Sequence, residues 1–433
     1  MSLAADQSNR PVLKRKLGLL DATSIGLGAI IGAGIFVVMG VATGMAGPAV
    51  FISVIISGIS AAFTALSFAE LGATMPKAGG VYEYAHEMVS HPMGFLTGWV
   101  WLTGNIVLGA TASLGFGYYL SSAFEFMPVK VGALAVIALV MFFNTIGVKR
   151  SALLNDFLVL AKIGALIAFV LVGLPKVQLS YFNDLFPNGI YPVIQAAGLF
   201  YFAYIGFPRI ATTAEEVKNP QKTIPQAIVL ALAASSVIYL LTSVTAVGLV
   251  GYEALGSSST PLADASDALG LRGVVELGAL LATFSVNLTS VMGQSRIFFA
   301  MARNGEMPHL LSRIHERFDT PVYSIALSGA AIVALAMTVD LAGLASLGSA
   351  CVLFTHLLTN YSALRLYRSK PEKEAAFKAP LRPLHAVVGG LLSLLLLLGL
   401  GADTLIAGII VSALGCASYF VYTRYLRGRE VCH

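Results

Sequence analysis

Charged residues are scarce in this chain. Asp, Glu, Lys and Arg make up 11% of its 433 residues, against about 25% in an average soluble domain. Hydrophobic residues make up 57%, and the mean hydropathy is +0.81. So few charges cannot cover the surface of a soluble protein, so the composition excludes that class and indicates an integral membrane protein.

Cysteine is scarce as well. The cysteines at positions 351, 416 and 432 are odd in number and have no paired spacing, so no disulfide framework is predicted. The N-terminal stretch MSLAADQSNRPVLKRK is polar and basic. It lacks the short apolar core and small-residue cleavage site of a signal peptide. We therefore expect the first apolar segment itself to direct insertion into the membrane.

Long apolar runs are abundant by contrast. A helix needs about 20 apolar residues to cross a bilayer. The sequence predicts an all-α membrane protein with twelve such helices, at 19–43, 47–74, 94–121, 129–148, 152–174, 190–212, 224–251, 271–302, 321–341, 343–366, 381–401 and 403–426. Most connections are short, so no soluble domain is expected. Twelve spans in one chain favour a transporter over a channel or a membrane-embedded enzyme.

Two motifs resemble sites of a metalloenzyme and of a channel. HEMVSH has one residue more than the zinc motif H-E-x-x-H, so His86 and His91 are not an i, i+4 pair on one helix face. LGFGY at 114–118 resembles a potassium filter, which needs four copies of a loop around one axis. Here it lies inside one apolar segment, where glycines favour helix packing. No metal, cofactor or enzyme activity is therefore expected.

Positive charge is distributed unevenly between the two sides of the membrane. With the N-terminus in the cytoplasm, the 27 lysines and arginines fall on or near the inner side, except Lys130, Lys176 and Arg272 outside and Lys162 within a segment. This asymmetry follows the positive-inside rule. It predicts a multi-pass protein of the cell membrane with both termini in the cytoplasm. The net charge of +5 therefore needs no nucleic-acid partner.

Glycines interrupt the first segment. Gly28, Gly32 and Gly34 stand together in GAIIGAGIF, although in water each glycine weakens a helix by about 1 kcal/mol relative to alanine. A small-residue packing face is one explanation. The sixth segment, however, contains Gly206 followed by Pro208, and proline removes a backbone donor and clashes with the preceding turn. Helices 1 and 6 are therefore both predicted to be discontinuous.

Paired interruptions in two halves of a chain are typical of the midplane site of a secondary transporter. In hydrocarbon every backbone N–H and C=O needs a partner, so an unwound turn is tolerated where a ligand re-pairs it. The N-terminus of a half-helix offers N–H groups to an anion, and a C-terminus offers carbonyl groups to a cation. A molecule that carries both a carboxylate and an ammonium fits both ends, which predicts an amino acid as substrate.

Several motifs resemble those of the amino acid–polyamine–organocation transporters. They are GAIIGAGIF, AELGATMPKAGGVYEY at 69–84, FYFAYIGF, EEVKNPQKTIPQAI at 215–228 and ARNGEMP at 302–308. The resemblance implies the leucine-transporter fold, with two inverted five-helix repeats and two further helices. It divides the chain into a cytoplasmic segment 1–18, a first repeat 19–174, a second repeat 190–366 and the last two helices at 381–426.

The resemblance also implies a substrate site at the two breaks. Backbone N–H groups of Ala33 and Gly34 would bind the substrate carboxylate. Carbonyl groups of Ile30, Phe202 and Ile205 would receive the ammonium. Phe202 also matches the position of an aromatic lid over the substrate.

Two polar side chains complete the implied site. Asn105 in helix 3 matches a pocket position, and Ser290 in helix 8 is a looser match. Interhelical hydrogen bonding is the alternative for both. Many family members carry a glutamate two residues after the helix 6 glycine, where this chain has Pro208 followed by Arg209. No role of that glutamate can be transferred.

Lys162 lies near the middle of helix 5, roughly 15 Å from either end. Its stem is too short to bring the amine to the interface, and a charge at this depth costs at least about 2.5–3.5 kcal/mol. By resemblance, it matches a lysine of proton-coupled relatives that replaces the sodium ion of sodium-coupled ones. Its neighbours would be the Gly28 carbonyl and a helix 8 hydroxyl, Ser285 or Thr283. Protonated, it would tie helices 1, 5 and 8 together, and deprotonated it would release them; a permanently paired structural lysine is the alternative.

These observations predict a secondary active transporter that carries amino acids with protons by alternating access. Its partners are the amino acid, the proton as coupling ion and the lipid bilayer. Since the pocket is mostly Phe, Val, Ala and Trp and has no placed carboxylate, neutral amino acids are favoured. Two alternatives stay open: an exchanger of amino acids or amines without net proton coupling, and a transporter-like amino acid sensor. The lack of a long cytoplasmic domain disfavours the sensor.

Overall fold

The computed structural model describes residues 17–75, 79–147, 151–212, 217–369 and 377–422. Within these ranges the secondary structure is helical, apart from two isolated β-bridges that join Leu17 to Val217 and His315 to Thr320. The α-helices are α1 Leu19–Ile30, α2 Met39–Ala46, α3 Val50–Thr74, α4 Val81–Met88, α5 His91–Ala123, α6 Val129–Ile146, α7 Ser151–Gly173, α8 Tyr191–Phe200, α9 Pro208–Thr212, α10 Pro220–Val250, α11 Tyr252–Ser257, α12 Pro261–Asp267, α13 Arg272–Arg303, α14 Val322–Thr338, α15 Leu341–Ser369, α16 Leu384–Gly399 and α17 Ala402–Val421.

Nine helical stretches of the described chain are long and apolar enough to cross a bilayer. The sequence-based count of twelve differs for two reasons. Leu19–Thr74 forms one stretch of 56 residues, and α14 and α16 are apolar but shorter than the roughly 20 residues that a span needs. The chain is an all-helical, multi-pass membrane protein. Most of the predicted N-terminal segment 1–18 and the end of the last predicted helix lie outside the described residues.

The first predicted helix is interrupted at its glycines. α1 ends at Ile30 because Ile31 turns to an extended conformation, with φ −76° and ψ 105°. The chain then forms a π-helical turn, Gly34–Val38, that leads into α2. Phe36 N donates to Gly32 O, inside the break, at 3.3 Å. The N–H groups that follow the break therefore belong to the first turn of a half-helix, where intrahelical acceptors are lacking.

The sixth predicted helix is interrupted as well. α8 ends at Phe200, a 3-10 turn covers Tyr201–Tyr204, and α9 begins at Pro208. Proline suits the first position of a helix because the missing N–H would have no intrahelical partner there. Pro208 therefore begins the second half-helix, and the break itself lies just before it.

The two breaks pack directly against each other. A Cβ atom at Gly34 would lie 2.4 Å from Ala203 Cα, and one at Gly206 would lie 2.2 Å from the carbonyl carbon of Ala29. Backbone therefore meets backbone at both crossings, and neither position has room for a side chain. The glycines serve close packing and at the same time allow the helices to unwind.

A hydrogen-bonded cluster fixes the short helix α4. The Tyr82 hydroxyl donates to Glu306 Oε2 at 2.8 Å and accepts from Asn304 Nδ2 at 2.8 Å, just after α13. Burial raises the pKa of Tyr82 above its ordinary value, so the hydroxyl stays protonated and keeps donating. The neighbouring Tyr84 is also buried, but its hydroxyl has no hydrogen-bond partner among the described residues.

This contrast predicts different effects of two similar substitutions. Tyr82→Phe removes a hydrogen bond to a charged group, which costs about 1.5–3 kcal/mol, so we expect a lower melting temperature in detergent. Tyr84→Phe removes a buried hydroxyl without a partner and should leave the melting temperature unchanged or raise it. Equal melting temperatures for the two variants would contradict the role given to the cluster.

Candidate functional site

The backbone groups predicted to bind substrate are all in the interior. Ile30, Ala33, Phe202 and Ile205 are each at most 2% exposed, and Gly34 is buried. The carbonyl oxygen of Ile30 accepts a hydrogen bond from the Tyr239 hydroxyl at 2.7 Å. The Phe202 carbonyl accepts from Ile205 N at 3.3 Å. A carbonyl oxygen has two lone pairs, so each can still accept a bond from an ammonium group.

Phe202 packs its ring against α15. A Cβ atom at Gly348 would lie 2.8 Å from Phe202 Cε2, so the absence of a side chain there makes space for the ring. The ring lies directly beside the helix 6 break, between the unwound turn and α15. The role of Phe202 as a lid over the substrate stays a prediction.

Lys162 bridges three helices. Its side chain is fully buried, and Nζ donates to Gly28 O at 2.6 Å and to Ser285 Oγ at 3.3 Å. Gly28 lies near the end of α1, just before the break, and Ser285 lies on α13. A single amine thus connects α7 with the interrupted helix and with α13.

Of the two predicted helix 8 hydroxyls, the structure brings Ser285 to the lysine. The Thr283 hydroxyl instead donates to Ala279 O at 2.8 Å on its own helix. Its methyl group faces α5, since a Cβ atom at Gly115 would lie 3.4 Å from Thr283 Cγ2. Of Ser285 and Thr283, which the prediction left open as neighbours of Lys162, Ser285 is the one at hydrogen-bond distance.

Asn105 and Ser290 are brought together by Arg209. One guanidinium nitrogen, Nη2, donates to Asn105 Oδ1 at 3.1 Å and to Ser290 Oγ at 2.9 Å. The other, Nη1, donates to Thr289 Oγ1 at 2.5 Å. Sequence analysis placed Arg209 among the charges on or near the inner side. The residue is 8% exposed, and its guanidinium reaches from α9 to α5 and α13.

The two groups of contacts are joined along α13. The Thr289 hydroxyl, which accepts from Arg209, also donates to the Ser285 carbonyl at 3.0 Å. Ser285 in turn binds Lys162 through its side chain. The lysine and the arginine therefore contact α13 one helical turn apart, about 6 Å along its axis.

Sequence reasoning missed two residues of this site. Arg209 had a signal, because an arginine one residue after a helix-breaking proline in an apolar run is unusual. Tyr239 had none, since it is one of 16 tyrosines and stands in an unbroken apolar helix. Its hydroxyl contacts both breaks, donating to Ile30 O and to Ala203 O at 2.7 and 3.2 Å.

The two motifs that resemble a zinc site and a potassium filter lie in packed helices. His86 and His91 lie on different helices, α4 and α5, with their ring centroids 4.0 Å apart. In the described ranges, no three His, Cys, Asp or Glu side chains are grouped so that they could hold a metal ion. LGFGY lies within α5, a continuous helix from His91 to Ala123.

Comparisons of the sequence with a family model and with known proteins agree on one family of membrane transport proteins. The family model described as "Amino acid permease" matches residues 17–424. A methylthioribose transporter of Bacillus subtilis is 32% identical over 96% of this chain and 95% of its own length. A branched-chain amino acid permease of the same organism is 29% identical over 98% and 96%. A vacuolar cationic amino acid transporter of Arabidopsis thaliana is 32% identical over 78% of this chain and 60% of its own length.

Proposed function

We propose, because the chain belongs to the amino acid permease family, that it is a secondary active transporter that moves neutral amino acids together with protons by alternating access. The family consists of transporters and not of enzymes. The names of its relatives cover branched-chain amino acids, cationic amino acids and methylthioribose. The substrate and the coupling ion must therefore be argued from the site.

The proposed architecture is the twelve-helix leucine-transporter fold. The nine long apolar stretches and the two shorter apolar helices make twelve spans when Leu19–Thr74 crosses the membrane twice. The first repeat then covers 19–174, the second covers 190–366, and the last two helices follow at 381–426. In this arrangement the protein lies in the cell membrane with both termini in the cytoplasm, as the distribution of Lys and Arg favours.

The proposed substrate site lies where the two breaks meet. The carboxylate would bind the N–H groups of Ala33 and Gly34, which follow the break in helix 1. The ammonium would bind the carbonyl groups of Ile30, Phe202 and Ile205. The burial of all five and the direct contact between the breaks support this assignment.

Lys162 is the proposed proton carrier, and its geometry is the observation that carries the proposal. A fully buried amine at hydrogen-bond distance from Gly28 O and Ser285 Oγ ties the interrupted helix to α7 and α13. Loss of its proton would remove the charge and weaken both bonds. Protonation would thus control whether the first half-helix can move relative to α13.

Uptake by purified protein in proteoliposomes tests the function and separates it from its alternatives. A symporter should accumulate a labelled neutral amino acid when the outside is made acidic, without internal substrate. An exchanger should take up label only when substrate is present inside. A sensor should bind but not transport. Transport that requires internal substrate under an imposed pH gradient would contradict proton symport.

A further inference from the structure

His356 lies in the interior of the protein beside the helix 6 break. It is on α15 and 0% exposed, and aromatic rings enclose it, with centroid distances of 5.2 Å to Phe68 and 6.4 Å to Trp101. Its Nε2 atom has no hydrogen-bond partner among the described residues. An ionisable side chain inside a membrane span is costly and usually has a function, and neither the substrate site nor the proton carrier proposed above uses this one.

The imidazole of His356 contacts both ends of the unwound part of helix 6. Its Nδ1 atom lies 2.8 Å from the hydroxyl oxygen of Tyr201, the first residue of the 3-10 turn, and forms a hydrogen bond with it. Its ring centroid lies 5.3 Å from that of Phe207, the last residue before α9. The carbonyl groups proposed to bind the substrate ammonium, those of Phe202 and Ile205, belong to residues between these two contacts.

The helix that carries His356 is firmly held. The Asn360 side chain, one turn further along α15, donates to His356 O at 2.9 Å. It also donates to Thr64 Oγ1 at 3.0 Å and accepts from Ser67 Oγ at 2.7 Å, both on α3. Two buried interhelical hydrogen bonds thus fix α15 to α3 one turn from the histidine, so the imidazole meets helix 6 from a packed pair of helices.

The unwound turn of helix 6 has few bonds of its own. Ile205 N donates to Phe202 O at 3.3 Å, which is a 3-10 bond, and such bonds have poorer geometry than α-helical ones. Side-chain contacts must therefore help to decide where the carbonyl groups of the turn point. Apolar packing has no preferred direction, whereas the hydrogen bond between Tyr201 and His356 has one.

We propose that His356 is a positioning residue for the substrate site, and that its hydrogen bond to Tyr201 holds the helix 6 break in the conformation that binds the substrate ammonium. The inference rests on the proposed function and deepens it, because it names a residue that acts on binding without contacting the substrate. When the bond is lost, the binding-competent conformation is less populated and the apparent Kd rises in proportion. Loss of one buried hydrogen bond corresponds to a rise of about tenfold.

Isothermal titration calorimetry of the purified full-length protein tests this inference. The probe is the tightest-binding of L-alanine, L-serine, L-leucine and L-phenylalanine. We expect Tyr201→Phe and His356→Phe each to raise its Kd by about tenfold. The double variant should bind no more weakly than the weaker of the two, because both changes remove the same bond. This cycle isolates the pair from the hydroxyl groups that also lie near the Tyr201 hydroxyl, those of Ser60, Thr64 and Ser393.

Further variants separate positioning from packing. Tyr204→Phe makes the same change in the same turn, where the hydroxyl has no hydrogen-bond partner among the described residues, and should leave the Kd unchanged. His356→Asn places an amide near the position of Nδ1 and should bind more tightly than His356→Phe, which fills the aromatic cluster but cannot form the bond. If His356→Phe does not fold, His356→Leu takes its place, since leucine is closer to histidine in size.

The outcomes distinguish this inference from the proposed function. An unchanged Kd in Tyr201→Phe would overturn it, even with a lower melting temperature, because the bond would then support the fold alone. Additive losses in the double variant, an equal loss in Tyr204→Phe or weaker binding by His356→Asn than by the apolar variant would overturn it too. Absence of binding by all four amino acids would overturn both proposals. A Kd that depends on the pair, in a protein without proton-driven uptake, would support the inference and contradict proton symport.

Discussion

Replacement of Lys162 by alanine should abolish proton-driven accumulation of substrate while leaving substrate binding in place. The amine contacts Gly28 O and Ser285 Oγ, and no substrate contact is proposed for it. Without it, protons have no carrier at this position, and α1 loses its bridge to α13. In proteoliposomes with an acidic exterior, we expect labelled substrate to equilibrate without concentrating. If the proposed role is right, the Lys162 ammonium takes the place of a coupling cation, so external sodium should have little effect on the unmutated protein.

The cavity left by alanine requires a control. Removing a long buried side chain costs about 2–5 kcal/mol through lost packing alone. Lys162→Met fills most of the space without a titratable amine and should lose coupling in the same way. Gly164→Ala changes the same helix two residues away, where an added Cβ meets no atom within 4 Å, and should transport normally. Concentrative uptake by folded Lys162→Ala or Lys162→Met would refute the proton-carrier role, and so would a requirement for sodium. A purely structural lysine predicts poor folding of both variants.

The sequence could predict the family, the helical membrane class and the two interruptions because each has a local cause. Composition alone separates membrane from soluble chains, and the family match confirms the motif resemblance. Glycine and proline alter the backbone wherever they stand, so the breaks near Gly34 and before Pro208 were visible without a fold. The number of spans has no such local cause, because a run such as Leu19–Thr74 contains no polar boundary that separates two crossings of the membrane.

The contacts between helices could not be predicted in the same way. Ser285 and Thr283 are two residues apart, which turns their side chains about 200° around a helix. Only the rotation of α13 against its neighbours decides which hydroxyl reaches Lys162, and no local pattern fixes that rotation. The positive-inside rule counted Arg209 with the charges on or near the inner side. It is the second residue of α9, directly after the break, where Asn105 and Ser290 accept its hydrogen bonds.

Alanine at Gly34 should abolish substrate binding although the protein still folds. The added Cβ would lie 2.4 Å from both Ala203 Cα and Ala203 Cβ, so the two breaks must move apart. Backbone cannot yield as a flexible side chain does, and overpacking of this kind costs about 1–3 kcal/mol. The displacement would separate the N–H groups of helix 1 from the carbonyl groups of helix 6. Since one small zwitterion must contact both, we expect no measurable binding by isothermal titration calorimetry.

A glycine on α13 gives the matched control. An added Cβ at Gly293 meets no atom within 4 Å, and alanine in a helix is favoured over glycine by about 1 kcal/mol, so Gly293→Ala should bind normally and melt no lower. The ligand offers a second control, because a substrate amide lacks the anion that the half-helix N-terminus would attract. Normal affinity of the Gly34→Ala protein, or tight binding of the amide by the unmutated protein, would show that the carboxylate binds elsewhere. Loss of binding by the Gly34→Ala protein and of binding of the amide, with Gly293→Ala unaffected, is the result expected if backbone groups of the two interrupted helices hold the two charges of one amino acid.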